Sequence, residues 1–200
     1  MAKIKTALEL ALEKTESVKS DKESLEAYDH KNEGKKIVSK YLSAPDDPEG
    51  DIEKQLKSYS GKNLMYVKEG AFRTLLANLT LPSDESGIGK LQILGKAFDA
   101  IMRDKKRAAT LVKQLEQFFS QYLQNQEQVR KNLEKQFAPR LRAKEQELAK
   151  KLGTEVRLSP ASDPEFINYL KKNRAQLEEQ YQEALNQVKE EFIRVFEISK

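Results

Sequence analysis

Apolar residues recur at intervals of three and four along most of the chain, the spacing that places them on one face of an α-helix. At the amino end Ile4, Leu8 and Leu12 step by four, with Ala7 and Ala11 beside them and Lys and Glu around them. Ser17, Ser20 and Asp21 predict a break after Val18. A second helix is expected from about Lys22 to Leu42, using Leu25, Tyr28, Ile37, Val38 and Tyr41, with Gly34 as an interruption. Residues 1–43 thus read as an amphipathic helical arm that needs something to pack against.

The turn formers of Ser43–Asp51, SAPDDPEGD, predict a loop. Residues 44–104 then carry the densest apolar faces. Ile52, Leu56 and Tyr59 predict a short helix ending near Gly61, and Leu64, Val67, Phe72, Leu75, Leu76 and Leu79 another ending before Pro82. Ile88, Leu91, Leu94, Phe98, Ile101 and Met102 supply a third, starting from a Ser83/Asp84 cap. The product is a small helical bundle of marginal size for an independent core, expected to pack against something else.

From Lys105 the stripe narrows to Leu111, Leu115, Phe118, Tyr122, Gln126, Val129, Leu133, Phe137, Leu141, Leu148 and Leu152, the seam of one long helix. Pro139 predicts a kink or short break, and Gly153 a stop. Thr154–Leu158 is β-prone, and Asp163 followed by Pro164 is an N-cap signature. A last helix to about Phe196 bears Phe166, Leu170, Leu177, Tyr181, Ala184, Val188, Phe192 and Val195. Two long helices joined by a connection at 153–163 make residues 105–200 a coiled-coil-like antiparallel hairpin. The expected fold class is all-α: arm, small bundle and long hairpin.

Composition removes several classes of function. With no Cys there is no thiolate metal site and no cysteine nucleophile, and one histidine, His30, cannot build a His-based metal centre. Nothing near His30 in sequence resembles a nucleophile or an orienting partner, so it reads as a surface residue. No run of about 18 apolar residues predicts a membrane span, and Glu9 and Glu13 interrupt what a signal peptide would need. A cytoplasmic location is expected.

Local motifs fare no better. GIGK at Gly87–Lys90 lacks the rest of a phosphate-binding loop, having Asp84 and Leu91 where Gly and Ser or Thr belong. The acidic run Asp46, Asp47, Glu49, Asp51 and Glu53 has Ile52 where a calcium loop needs Gly. It reads as a solvated loop. No catalytic residue, cofactor site or metal site is predicted.

Charge changes the picture most. Net charge is +1 over 1–43, −2 over 44–104, +7 over 105–152 and −2 over 153–200. The basic helix and the acidic last helix suit each other as hairpin partners. Arg130, Lys131, Lys135 and Arg142 are the candidate contacts to an anionic partner, among a wider set of Arg140, Lys144, Lys150 and Lys151. At 100° per residue Lys131, Lys135 and Arg142 share one face while Arg140, Lys144 and Lys151 lie across the helix. No aromatic residue is interleaved for base stacking. Pairing with the last helix is the competing explanation of the same charges.

The opening KIKTALELALEKTESVKSDKESLE, the phrase FAPRLRAKEQELAKKLG and DPEFINYLKKN resemble an uncharacterised bacterial family of helical proteins, over nearly the whole chain. That family has no assigned activity. The resemblance implies a bacterial source and one co-inherited unit, and it transfers no site residue. The sequence therefore points to a non-enzymatic interaction or assembly protein. It would use the Ile4, Leu8 and Leu12 stripe toward a protein partner or a second copy of itself. The alternative is an RNA- or ribosome-associated factor working through residues 130–151. A membrane-surface role for the first helix is disfavoured by Glu9, Glu13 and Glu16 on its polar face.

Overall fold

The computed structural model describes residues 7–198, with side chains from Lys22 onward. Six α-helices follow one another: α1 (Ala7–Ser43), α2 (Ile52–Leu56), α3 (Gly61–Asn78), α4 (Ser86–Ile101), α5 (Lys105–Leu152) and α6 (Pro164–Ile198). A 3-10 turn at Pro160–Ser162 lies between the last two, and no strand occurs among the described residues. The fold is all-α.

Two compact units share these helices. One holds residues 1–79, 93–108 and 196–200; the other holds 80–92 and 109–195. The segments read from sequence as arm and bundle, 1–43 and 44–104, thus lie largely in the first unit.

In the first unit α1 is a single helix where the sequence predicted two. Ser17, Ser20 and Asp21 do not break it, because each costs only tenths of a kcal/mol in a helix whose neighbours are strong formers. Neither does Gly34 interrupt it. Gly34 is buried, and a Cβ there would fall on the Val67 carbonyl oxygen and lie 2.8 Å from the Ala71 nitrogen. Gly70 of α3 repeats the device in reverse, its Cβ position occupied by the Lys31 carbonyl. The two glycines let the antiparallel backbones touch. Ile37, Val38 and Tyr41 then bury on one side of α1, and Val67, Ala71, Phe72 and Leu75 on α3. Phe72 stacks on Phe196 with ring centroids 4.1 Å apart and meets Phe98 edge-on.

The acidic run between α1 and α2 is used in local capping. Asp51 accepts from the Lys54 amide at 3.0 Å and Asp47 from the Glu49 amide at 3.0 Å, while Glu53 pairs with Lys105 at 2.9 Å. His30 is half-buried rather than solvated, its ring edge-on to Tyr59.

In the second unit Asp84 caps the start of α4 by accepting from the Ser86 amide, as the sequence indicated. Gly87 sits there because Pro82 occupies the space a Cβ would need. That glycine serves packing against Pro82. The helix α5 runs 48 residues, about 70 Å at 1.5 Å per residue, and continues unbroken through Pro139. The lost hydrogen bond falls on an exposed position, while Leu133, Phe137 and Leu141 stay buried on both sides of it. Gly153, at φ +69°, ends the helix. The β-prone segment after it forms no strand. The Leu158 amide donates to Glu145 at 2.7 Å, tacking the chain back along α5.

Candidate functional site

Within the second unit, α5 and α6 pair antiparallel. Phe118 and Tyr122 meet Tyr181, each at 4.9 Å between ring centroids, and further along Phe137 meets Phe166 at 5.5 Å. Near the connection Arg140 reaches Glu165 and Lys144 reaches Asp163. Contacts therefore advance along one helix as they retreat along the other. Leu133, Phe137, Leu141 and Phe166 form a buried cluster with Val129, Leu158 and Leu170 against it.

The seam predicted from sequence needs three corrections. Leu152 is exposed, because α5 has by then outrun its cover. The buried residues of α6 include Leu185 and Phe196, which the predicted stripe omits, and Leu177 is only half-buried. On α5 it is Phe119 that is buried, Phe118 being half-covered beside Tyr181. A polar layer interrupts the apolar seam where Asn125 donates to the Tyr181 hydroxyl at 2.7 Å. Burial holds the neighbouring Tyr122 phenol above its ordinary range.

Asp163 is the other buried polar group of the hairpin. Its carboxylate caps α6 by accepting from the Glu165 and Phe166 amides and takes a 2.6 Å hydrogen bond from Lys144. The Lys144 bond, together with the two amides, holds the carboxyl below 3.8 against the opposing effect of burial.

The predicted anion contacts divide into two kinds. Arg130 makes a two-point pair with Glu127 and a second contact to Glu134, and Lys131 also faces Glu127, at 3.6 Å. Hydrogen bonding from Arg130 lowers the Glu127 carboxyl. Lys135 and Arg142 are exposed and make no ion pair among the described residues. Of the wider set, Arg140, Lys144 and Lys151 are paired, and only the first two reach across to α6 or its cap. Within this basic set, ion pairs join α5 to α6 or its cap at Arg140 and Lys144, near the connection.

The remaining excess has a source that segment totals conceal. α6 carries Lys171, Lys172 and Arg174 before Leu177, and Glu178, Glu179, Glu183, Glu190, Glu191 and Glu197 after it. Its net −2 averages a basic half with an acidic half. Counting charge by half-helix would have found these three cations.

The predicted protein-partner stripe falls mostly beyond view. Ile4 lies outside the described residues, and the side chains of Leu8 and Leu12 do too, although their backbone is helical in α1. The same helix presents Leu25 and Tyr28, 66% and 64% exposed. Both were expected to be covered. They sit one turn apart on the part of α1 that precedes its buried stretch, which begins at Gly34.

Among the described residues no group of His, Asp and Glu is arranged to hold a metal ion, and no helix is long and apolar enough to cross a membrane. Comparison with curated proteins and with solved structures gives no match. The sequence model of one family, described only as a family of unknown function, covers residues 53–194, from α2 almost to the end of α6. The chain belongs to that family, DUF6657.

Proposed function

We propose that this is a non-enzymatic helical interaction protein, cytoplasmic and bacterial, that docks another helix on the exposed face of α1. Leu25 and Tyr28 carry the reading. Two large apolar side chains one turn apart, both about two-thirds exposed, lie in the same helix as the leucines at 8 and 12. Isolated exposed apolar residues need no explanation, but a pair at helical spacing is the form of a helix-docking face. The helix itself supports the reading. A helical segment with so little covered surface has little to stabilise it beyond propensity, and gains most from a partner.

A second copy of the chain is the first partner to test. Sedimentation velocity over a range of concentrations should show a monomer–dimer equilibrium for the parent chain. Leu25→Asp with Tyr28→Asp should sediment as monomer while keeping the parent's helicity. A parent chain that is monomeric up to about 100 μM would remove self-association, and with it the homodimer form of this proposal.

A further inference from the structure

Between Glu127 and Arg174, every carboxylate is already engaged. Glu127 and Glu134 serve Arg130, Glu145 holds the Leu158 amide, and Glu147 holds Lys151. Glu155, Asp163 and Glu165 take Arg157, Lys144 and Arg140. Six cations are left over: Lys135, Arg142 and Lys150 on α5, and Lys171, Lys172 and Arg174 on α6. All six are exposed, and none makes an ion pair among the described residues.

We infer that this half of the hairpin binds the phosphate backbone of nucleic acid without reading its sequence. Lys135 and Arg142 stand two turns apart, within about 20° of one another on the helix, and roughly opposite the buried Phe137. Lys150 continues the α5 set toward the connection. A surface of this kind matches a polymer of regularly spaced anions, where each cation replaces a condensed counterion. It does not suit an acidic protein. Between Arg130 and Lys151 no large apolar residue of α5 is exposed, and the exposed apolar side chains of this half, Leu152 at the end of α5 and Ile167 and Tyr169 on α6, are few beside the packed apolar centre of a protein interface. This stretch of α5 holds no exposed aromatic platform, and on α6 Tyr169, beside Phe137, is a single exposed ring, so phosphates rather than a run of stacked bases are the main contact.

This surface shares no residue with the α1 face, so each proposal can fail alone. The probe is a labelled single-stranded RNA of about 20 nucleotides, followed by fluorescence anisotropy as salt is raised. With all six cations engaged, affinity should fall about 300-fold between 50 and 200 mM salt, near −0.7 in log–log slope for each. Lys135→Gln with Arg142→Gln should flatten the slope by about 1.4, and Lys171→Gln with Arg174→Gln should do the same. Arg130→Gln with Lys131→Gln, removing cations already paired, should leave the slope in place. Leu25→Asp with Tyr28→Asp should leave it in place too. Circular dichroism melts confirm that each variant is folded. Absence of binding at 50 mM salt overturns the inference, as does an equal loss from the paired and unpaired sets. Competition by poly-glutamate as strong as by unlabelled RNA overturns it as well, since the surface would then be reading carboxylates.

Discussion

Where α1 crosses α3, two glycines let backbone meet backbone; where α5 runs beside α6, large side chains fill the contact. Gly34 and Gly70 bring two backbones together in the first pair, so that a single added carbon would strike a carbonyl oxygen. Phe137, Phe166, Leu133 and Leu141 hold the second pair apart at the width of interleaved rings and leucines. Both pairs are antiparallel. They differ in what can give way: an aromatic seam relaxes around a lost or altered side chain, whereas backbone at a glycine crossing has nothing to rotate aside.

The glycine crossing should be the more easily broken. Gly34→Val or Gly70→Val is expected to cost about 3 kcal/mol or more, at the top of the range for overpacking, and to be read as a large drop in urea midpoint. Gly89 of α4 gives the control. Nothing lies within 4 Å of its Cβ position, so Gly89→Ala should stabilise by up to about 1 kcal/mol through helix propensity. If all three substitutions behave alike, close approach is not what Gly34 and Gly70 provide.

Truncation is the matching test of the aromatic seam. Phe137→Ala should cost about 3 kcal/mol, with the cavity partly closed by its neighbours. A loss below about 1 kcal/mol would mean that the ring packing contributes little. Removing the hydroxyl in Tyr181→Phe should cost about 1 kcal/mol, because it leaves the Asn125 amide without its partner. A double-mutant cycle with Asn125→Ala isolates that bond from the surrounding ring contacts.

The smallest expected effect is a shape rather than a size. The Asp163 carboxyl sits below its ordinary 3.8, so its contribution is fully present above about pH 4 and disappears as pH falls through the lower folded value. Asp163→Asn keeps a capping side chain but has no proton to take up in that window. The urea midpoint of the parent should therefore fall more steeply than that of Asp163→Asn between pH 5 and about pH 2. Parallel pH profiles would mean that the Lys144–Asp163 pair does not couple to folding.

The contrast between the two pairs also decides what the sequence revealed. Periodic leucines and aromatics announce helices packed through side chains, so the all-α class, the Asp163-Pro164 start of α6 and the Gly153 stop of α5 were legible. The stripes of α1 and α3 were legible too, but a close approach made by missing side chains leaves no mark in them, and Gly34 was read as an interruption when it is a point of contact. Pro139 misled similarly. Its local cost is real, but a helix anchored on Leu133, Phe137 and Leu141 retains its path. On the surface, charge totals by segment hid Lys171, Lys172 and Arg174 behind the glutamates that follow them. Ion-pair geometry, which one-dimensional spacing does not contain, separated the engaged Arg130 and Lys131 from Lys135 and Arg142.

The exposed α1 face carries the proposed function, and hydrogen exchange tests that proposal most directly. With little surface covered, the amides of residues 22–30 should exchange quickly in dilute protein. Raising the concentration through the dimerisation range should slow exchange at residues 22–30 in the parent chain and leave Leu25→Asp with Tyr28→Asp unchanged. Exchange at these residues that is independent of concentration in the parent would contradict the assignment of this face to self-association.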